Sequence, residues 1–237
     1  MQDKDYLTEL SAETLAILNQ FLVEQQSKIE NPEDEDWRLA QFWYTEETRQ
    51  TLCDEAINMS GPNNRIAVVS APSLFVKLKQ MNKIDHAVLF EYDQRFKTEY
   101  GDNFCFYDCA DPEVIPDEYK GSFDFVIGDP PRLNQETSTS FLRTLRLLQR
   151  NEQTPLVLIT GSVMKDYLEN YEHLHTCSFE PINNRLMNPM LCYTSYHSKG
   201  LGCVCDECQK QVNVRQEQVV NGQDNQNQDE QSKSGKQ

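Results

Sequence analysis

The chain has 237 residues, of which 38% are hydrophobic and 10% aromatic, and its formal net charge is −16 at pH 7. That suits one domain with appendages and a substantial core. It argues against a stable nucleic-acid partner, since strand or duplex binding needs a basic footprint to release counterions. No stretch approaches the ~20 apolar residues of a membrane span.

The first ten residues, MQDKDYLTEL, are polar and acidic and lack the basic-then-apolar order of a secretory leader, so a cytoplasmic chain is expected. Residues 11–30 are predicted helical, with Ser11 as cap and Leu15, Leu18, Phe21, Leu22 and Ile29 roughly on one face. Residues 31–36, NPEDED, break that helix, and their acidic run Glu33–Asp36 reads as a solvated loop or as a surface that steers a basic partner. QFWYT (41–45) is a dense aromatic patch leading to a second helix near 46–59 with Thr45 as cap. Residues 1–60 carry fourteen acidic and four basic residues and are expected to form a helical extension packed on the core.

From residue 65 apolar runs alternate with helical spacing. RIAVVS (65–70), HAVLFEYD (86–93), NFCFYD (103–108), FDFVIGD (123–129) and PLVLITG (155–161) read as strands. Helices are expected over 71–83, 136–150 and 163–174, and CSFEPI (177–182) with PMLCYTSY (189–196) as a closing antiparallel pair. Five such strands between helices indicate an α/β fold, a mostly parallel sheet covered on both faces, here seven-stranded with one strand reversed. Residues 61–203 would form this domain. Residues 204–237 end in a Gln/Asn-rich stretch with little to bury and are expected to be a disordered tail.

In open parallel sheets ligands bind past the carboxyl ends of the strands. Those ends carry Ser70-Ala71-Pro72, then Glu91 and Asp93, then Asp108, then Asp129-Pro130-Pro131. Four successive polar or acidic ends point to one ligand lying across the crevice. There is no glycine-rich phosphate cradle after the first strand, and acids repel phosphate but accept bonds from ribose hydroxyls and an adenine amine. S-adenosylmethionine, with its positive sulfonium and ammonium, fits. Pro130 and Pro131 remove two donors and stiffen the backbone, leaving a corner of acceptors around Asp129 that could hold an amine by its N–H groups. Catalysis there would be mostly positioning.

IGDPPRL (127–133) resembles the DPP[YF] signature of class I amino-methyltransferases. With QFWYT, RIAVVSAPS (65–73), LFEYDQRF (89–96), FYD (106–108) and GLGC (200–203) the chain is similar, from about residue 8 to 203, to the eukaryotic family that methylates a lysine of translation elongation factor 1-alpha, formerly grouped with N6-adenine DNA methyltransferases. The resemblance implies a seven-stranded, Rossmann-like methyltransferase sheet, S-adenosylmethionine as cofactor and a protein substrate. It places Ser70, Ala71 and Pro72 in the loop that replaces the usual glycine motif, Glu91 on the ribose with Asp93 as second choice, and Asp108 near the adenine amine. Asp129, Pro130 and Pro131 form the catalytic corner, and Phe42, Trp43 and Tyr44 are candidates for a lid. Arg132 departs from the family's aromatic residue, which shelters an amine by cation–π contact. That departure keeps a catalytically lapsed, cofactor-binding interaction protein as the alternative, beside N6-adenine methylation.

Most of the eight cysteines are expected to be free thiols. Cys203-x-Cys205-x2-Cys208 has metal-site chemistry, with His197 or Cys192 as a fourth candidate ligand, but the loose spacing favours surface thiols and no metal. A monomer is expected.

Overall fold

The computed structural model describes residues 43–61, 65–81, 86–111, 114–131, 134–183, 189–206 and 208. The helix expected over 11–30, Phe42, Arg132 and the tail from residue 209 onward lie outside the described residues.

Helix α1 (Glu46–Ser60) is capped by Thr45, whose Oγ1 accepts from the Thr48 amide. Strands β1 (Ile66–Val69), β2 (Ala87–Glu91), β3 (Phe104–Phe106), β4 (Phe125–Gly128) and β5 (Leu156–Gly161) are separated by helices α2 (Pro72–Gln80), α3 (Arg95–Tyr100) and α4 (Gln135–Leu148). A short helix α5 (Lys165–Asn170) precedes β6 (His175–Thr176) and β7 (Met190–Thr194). The strands form one sheet in the order β3-β2-β1-β4-β5-β7-β6. β1 to β5 run parallel, and β7 is antiparallel to both β5 and β6. This is the expected seven-stranded α/β methyltransferase sheet with one reversed strand.

Alternation along β1 shows why these strands read as continuous apolar runs. Ile66 and Val68 join Leu52, Cys53, Ala56, Leu74, Phe75 and Leu78 from α1 and α2 in one buried cluster. Ala67 and Val69 join Phe141, Leu142, Leu145 and Leu148 from α4 in the other. With both faces covered, no position on the strand can be polar. Gly128 allows a close approach between β4 and α4: a Cβ there would lie 2.7 Å from Phe141 Cε1 and 2.9 Å from Leu145 Cδ2.

The closing pair differs from expectation. CSFEPI is not a strand: β6 is only His175–Thr176, and Cys177, whose amide still donates to Cys192 O of β7 at 2.9 Å, forms an isolated bridge with Cys203. The Ser178 and Phe179 amides donate to Gly202 O and Leu201 O, and Ile182 and Asn183 then run beside Trp43–Thr45. The helix expected over 163–174 ends early, at Asn170, and the chain passes through His173 with φ 56 before β6.

Candidate active site

Register decides which strand ends meet. Val69 pairs with Phe90 on one side and with Gly128 on the other, and Glu91 pairs with Phe106. The next residues are therefore level across the sheet. The Ser70 amide donates to Phe90 O at 2.8 Å, the Asp129 amide to Val69 O at 3.1 Å, and the Tyr107 amide to Glu91 O at 3.1 Å. Ser70, Glu91 and Asp129 thus form one rim at the carboxyl edge, with Asp108 one strand further out.

Ser70 leaves β1 with φ 51, in the left-handed region that glycine usually occupies. Holding a serine there costs about 1 kcal/mol, so the loop reaches the backbone path of a glycine turn without a glycine. Ala71 and Pro72 are buried, and α2 begins at Pro72 with no side-chain cap on its first turn.

The two acids after β2 separate in role. Glu91 is buried, and its Oε1 accepts from the Tyr92 and Asp93 amides at 2.9 and 3.2 Å, so backbone donors fix its carboxylate at the rim. Asp93 is also buried, but its carboxylate is gripped by Arg95: Nη2 lies 2.6 Å from Oδ2 and Nε 3.1 Å from Oδ1. Asp93 Oδ1 also accepts from the Arg95 amide at 3.0 Å, which ties this carboxylate to the first residue of α3. Asp108 sits half-buried after β3, and its Oδ1 accepts from the Ala110 amide at 2.8 Å.

Asp129 is the centre of the site. Tyr44 donates from its hydroxyl to Asp129 Oδ2 at 2.5 Å, across 85 residues of sequence. Asp129 keeps some contact with solvent, yet it lies deep enough for desolvation to dominate. Burial pushes its carboxyl up from 3.8 to about 7, the neighbouring Glu91 charge adds to the rise, and the Tyr44 hydrogen bond opposes it. Burial and the Asp129 charge hold the Tyr44 hydroxyl well above its ordinary range, so it remains a neutral donor. Pro130 is buried and Pro131 half-buried.

Tyr44 is held by a return segment that the sequence reading missed. Tyr44 pairs with Asn183, the Thr45 amide donates to Ile182 O at 2.9 Å, and Asn183 Nδ2 donates to Trp43 O at 3.0 Å. The Ile182 amide closes onto Thr48 Oγ1 at 3.0 Å. This return segment holds Trp43 by its carbonyl and Tyr44 by its backbone, and it leaves the Tyr44 hydroxyl on Asp129. Two further residues went unnoticed. Tyr92 and Phe106 are large aromatics, 52% and 41% exposed, with ring centroids 5.5 Å apart beside Glu91. Exposed aromatics at strand ends offer a stacking face to a flat heterocycle. The signal was present in FEYD as an aromatic next to the acid and in FCFYD as an aromatic two residues before it.

The donor set suits S-adenosylmethionine. Glu91 and Asp108 supply acceptors, Tyr92 and Phe106 a flat face. Asp129 is a carboxylate whose ionised form no basic side chain among the described residues helps to hold, so a cationic ligand would relieve it.

The cysteines divide. Cys192 lies in β7 within the core, so it is no partner for the C-terminal thiols. Cys203, Cys205 and Cys208 instead gather around His197.

The family described as "Probable N6-adenine methyltransferase" matches residues 35–198. EEF1A lysine methyltransferase 1 of Mus musculus is 38% identical over 214 residues, covering 85% of this chain and 97% of the mouse protein. A protein-lysine N-methyltransferase of Caenorhabditis elegans is 35% identical over 215 residues, covering 84% of this chain and 98% of its own. Among solved structures, the branched-chain polyamine synthase of Thermus thermophilus, in complex with N4-aminopropylspermidine and 5'-methylthioadenosine, superposes with a TM-score of 0.52 at 13% identity. It covers 74% of this chain and 62% of the synthase, a likeness of fold alone.

Proposed function

The chain belongs to the EEF1A lysine methyltransferase 1 family, and from that premise we propose that it methylates a lysine side chain of translation elongation factor 1-alpha, using S-adenosylmethionine. The observation that carries the reading is the part-buried Tyr44–Asp129 hydrogen bond at the proline-stiffened end of β4, on one rim with Glu91.

The bound cofactor supplies a methyl group on a sulfonium. The chain's own residues do the rest. Glu91 would hold the ribose hydroxyls, Asp108 would face the adenine amine, and the Ser70-Ala71-Pro72 turn would line the crevice. Tyr44 fixes Oδ2 of Asp129, so the carboxylate can turn its other oxygen to an N–H of the incoming amine. Pro130 and Pro131 offer no competing backbone donor and keep the corner rigid. Free lysine titrates near ~10.4, so it must shed a proton before attack. Desolvation in the closed site favours the neutral amine, while Asp129 favours the charged one. Asp129 is therefore an orienting group and not the general base, and the rate gain comes from alignment.

The same reading takes the protein as a cytoplasmic monomer without a stable nucleic-acid partner, in keeping with its charge of −16. Among the described residues no helix is long and apolar enough to cross a membrane. The description of the matched family favours one second reading, N6-adenine methylation, against which the acidic balance weighs. A labelled methyl offered with purified elongation factor 1-alpha and, separately, with adenine-bearing duplex DNA distinguishes the two. Label in the factor, lost in Asp129→Ala while the fold is retained, supports the proposal. Label in DNA alone overturns it, and cofactor binding with no turnover on either substrate identifies a lapsed enzyme.

A further inference from the structure

Beyond the methyl-transfer site, four ligand-type side chains converge at the far end of the sheet. The Cys205 and Cys208 sulfurs each lie 3.3 Å from His197 Nδ1, and the Cys203 sulfur lies 3.7 Å from the same nitrogen. A tetrahedral zinc with Zn–S of ~2.3 Å and Zn–N of ~2.0 Å separates its sulfur and nitrogen ligands by roughly 3.6 Å. All three distances fall close to that edge length. His175 brings a further ring nitrogen to the group: one ligand atom from each of His175, His197, Cys203 and Cys205 lies within 4.8 Å of the others. Its ring stacks on His197, with centroids 4.3 Å apart.

We infer that His197, Cys203, Cys205 and Cys208 form a structural zinc site, closed by four protein ligands, with His175 packed on His197 as its outer support. Three sulfurs around one imidazole suit a soft-to-borderline cation; a disulfide would use two of them and leave the third and the histidine unexplained. Four protein ligands leave no open position for a substrate, so the site is structural rather than catalytic.

The surrounding backbone explains what such an ion would hold. The segment before the cysteines is already tied to α1. Tyr196 and Ser198 both donate to Glu55 Oε1, at 2.8 and 2.6 Å, and the Leu201 amide donates to Ser198 Oγ at 2.9 Å. Glycine is required there: a Cβ at Gly200 would meet Glu55 Oε2 at 2.1 Å, and Gly202, with φ +70, would meet Ser178 Oγ at 2.3 Å. The Cys203 amide donates to Ser198 O at 2.8 Å and the Val204 amide to Thr176 O at 3.0 Å. After Val204 the Cys205 and Cys208 thiols turn back onto His197. A metal there clasps the end of the domain over the two-residue edge strand β6, on which His175 sits. Short, covered edges are how sheets avoid pairing with other chains.

The test is the full chain produced with zinc in the medium and desalted into metal-free buffer. We expect close to one zinc per chain by mass spectrometry, and a cobalt-exchanged form with thiolate-to-metal absorbance. Chelation should lower the thermal midpoint by several degrees. The double variant Cys205→Ser/Cys208→Ser, altered beyond the last core residue Leu201, should keep its fold and its methyl transfer and retain under a tenth of the wild-type zinc. His197→Ala should lose the metal and His175→Phe should keep it; the reverse pattern overturns the ligand set. Under a tenth of an equivalent of zinc in the wild-type chain with no cobalt absorbance, full zinc in the double variant, or a disulfide among the three cysteines in the wild type overturns the site.

Discussion

Replacing Asp129 by asparagine should remove activity and, above neutral pH, stabilise the protein. The carboxyl ordinarily titrates near 3.8 and is pushed up to about 7 in the fold. Between those values the folded state binds more protons than the unfolded one, so this group lowers stability as pH rises through that window, and its effect levels off above it. At 1.36 kcal/mol per pH unit, ionised Asp129 costs the fold about 4 kcal/mol at pH 8. At pH 5 the folded group is neutral and the cost is about 2 kcal/mol. Asparagine keeps the shape and accepts the Tyr44 hydroxyl but does not titrate. Urea unfolding of both proteins without cofactor, at pH 5 and pH 8, isolates the term because all other ionisations cancel in the difference. The stability of Asp129→Asn relative to wild type should rise by ~2–3 kcal/mol between the two pH values. It should rise less with saturating S-adenosylmethionine, whose positive charge favours the ionised carboxylate. A difference that does not change with pH would refute the desolvated Asp129 carboxylate on which the site is built.

Tyr44→Phe removes a hydrogen bond that lowers the Asp129 pKa; kcat/KM should fall roughly 10- to 100-fold, as for a lost hydrogen bond to a charged group, and the acid limb of the pH–rate profile should move to higher pH. Gly128→Ala forces a methyl to within 2.7 Å of Phe141 and should destabilise the fold by about 1–3 kcal/mol in the same unfolding assay. Tyr92→Ala should weaken cofactor binding roughly 5- to 30-fold by calorimetry, the loss of ~1–2 kcal/mol of stacking, with little change in kcat at saturation.

Sequence alone settled the sheet and most of the rim. Strands buried on both faces must be apolar throughout, so RIAVV, HAVLF and FDFVIG are legible without coordinates, and each stops where a polar residue can reach the edge. Ser70, Glu91, Asp108 and Asp129 could therefore be picked out by their place in the chain. What sequence left open depends on contacts between distant segments. Glu91 and Asp93 read alike, and only the Arg95 clamp on Asp93 tells them apart. Tyr44 read as one aromatic in a patch, and its bond to Asp129 exists because Ile182 and Asn183 return to hold it. CSFEPI had strand composition, but its backbone groups are taken by Gly202 and Leu201, since the GLGC turn competes for that edge. The same closure brings His197 onto cysteines whose spacing looked too loose for a metal. Burial pattern is a local property that the chain writes residue by residue, whereas ligand sets and shifted carboxylates arise from proximity in space, which only the folded chain supplies.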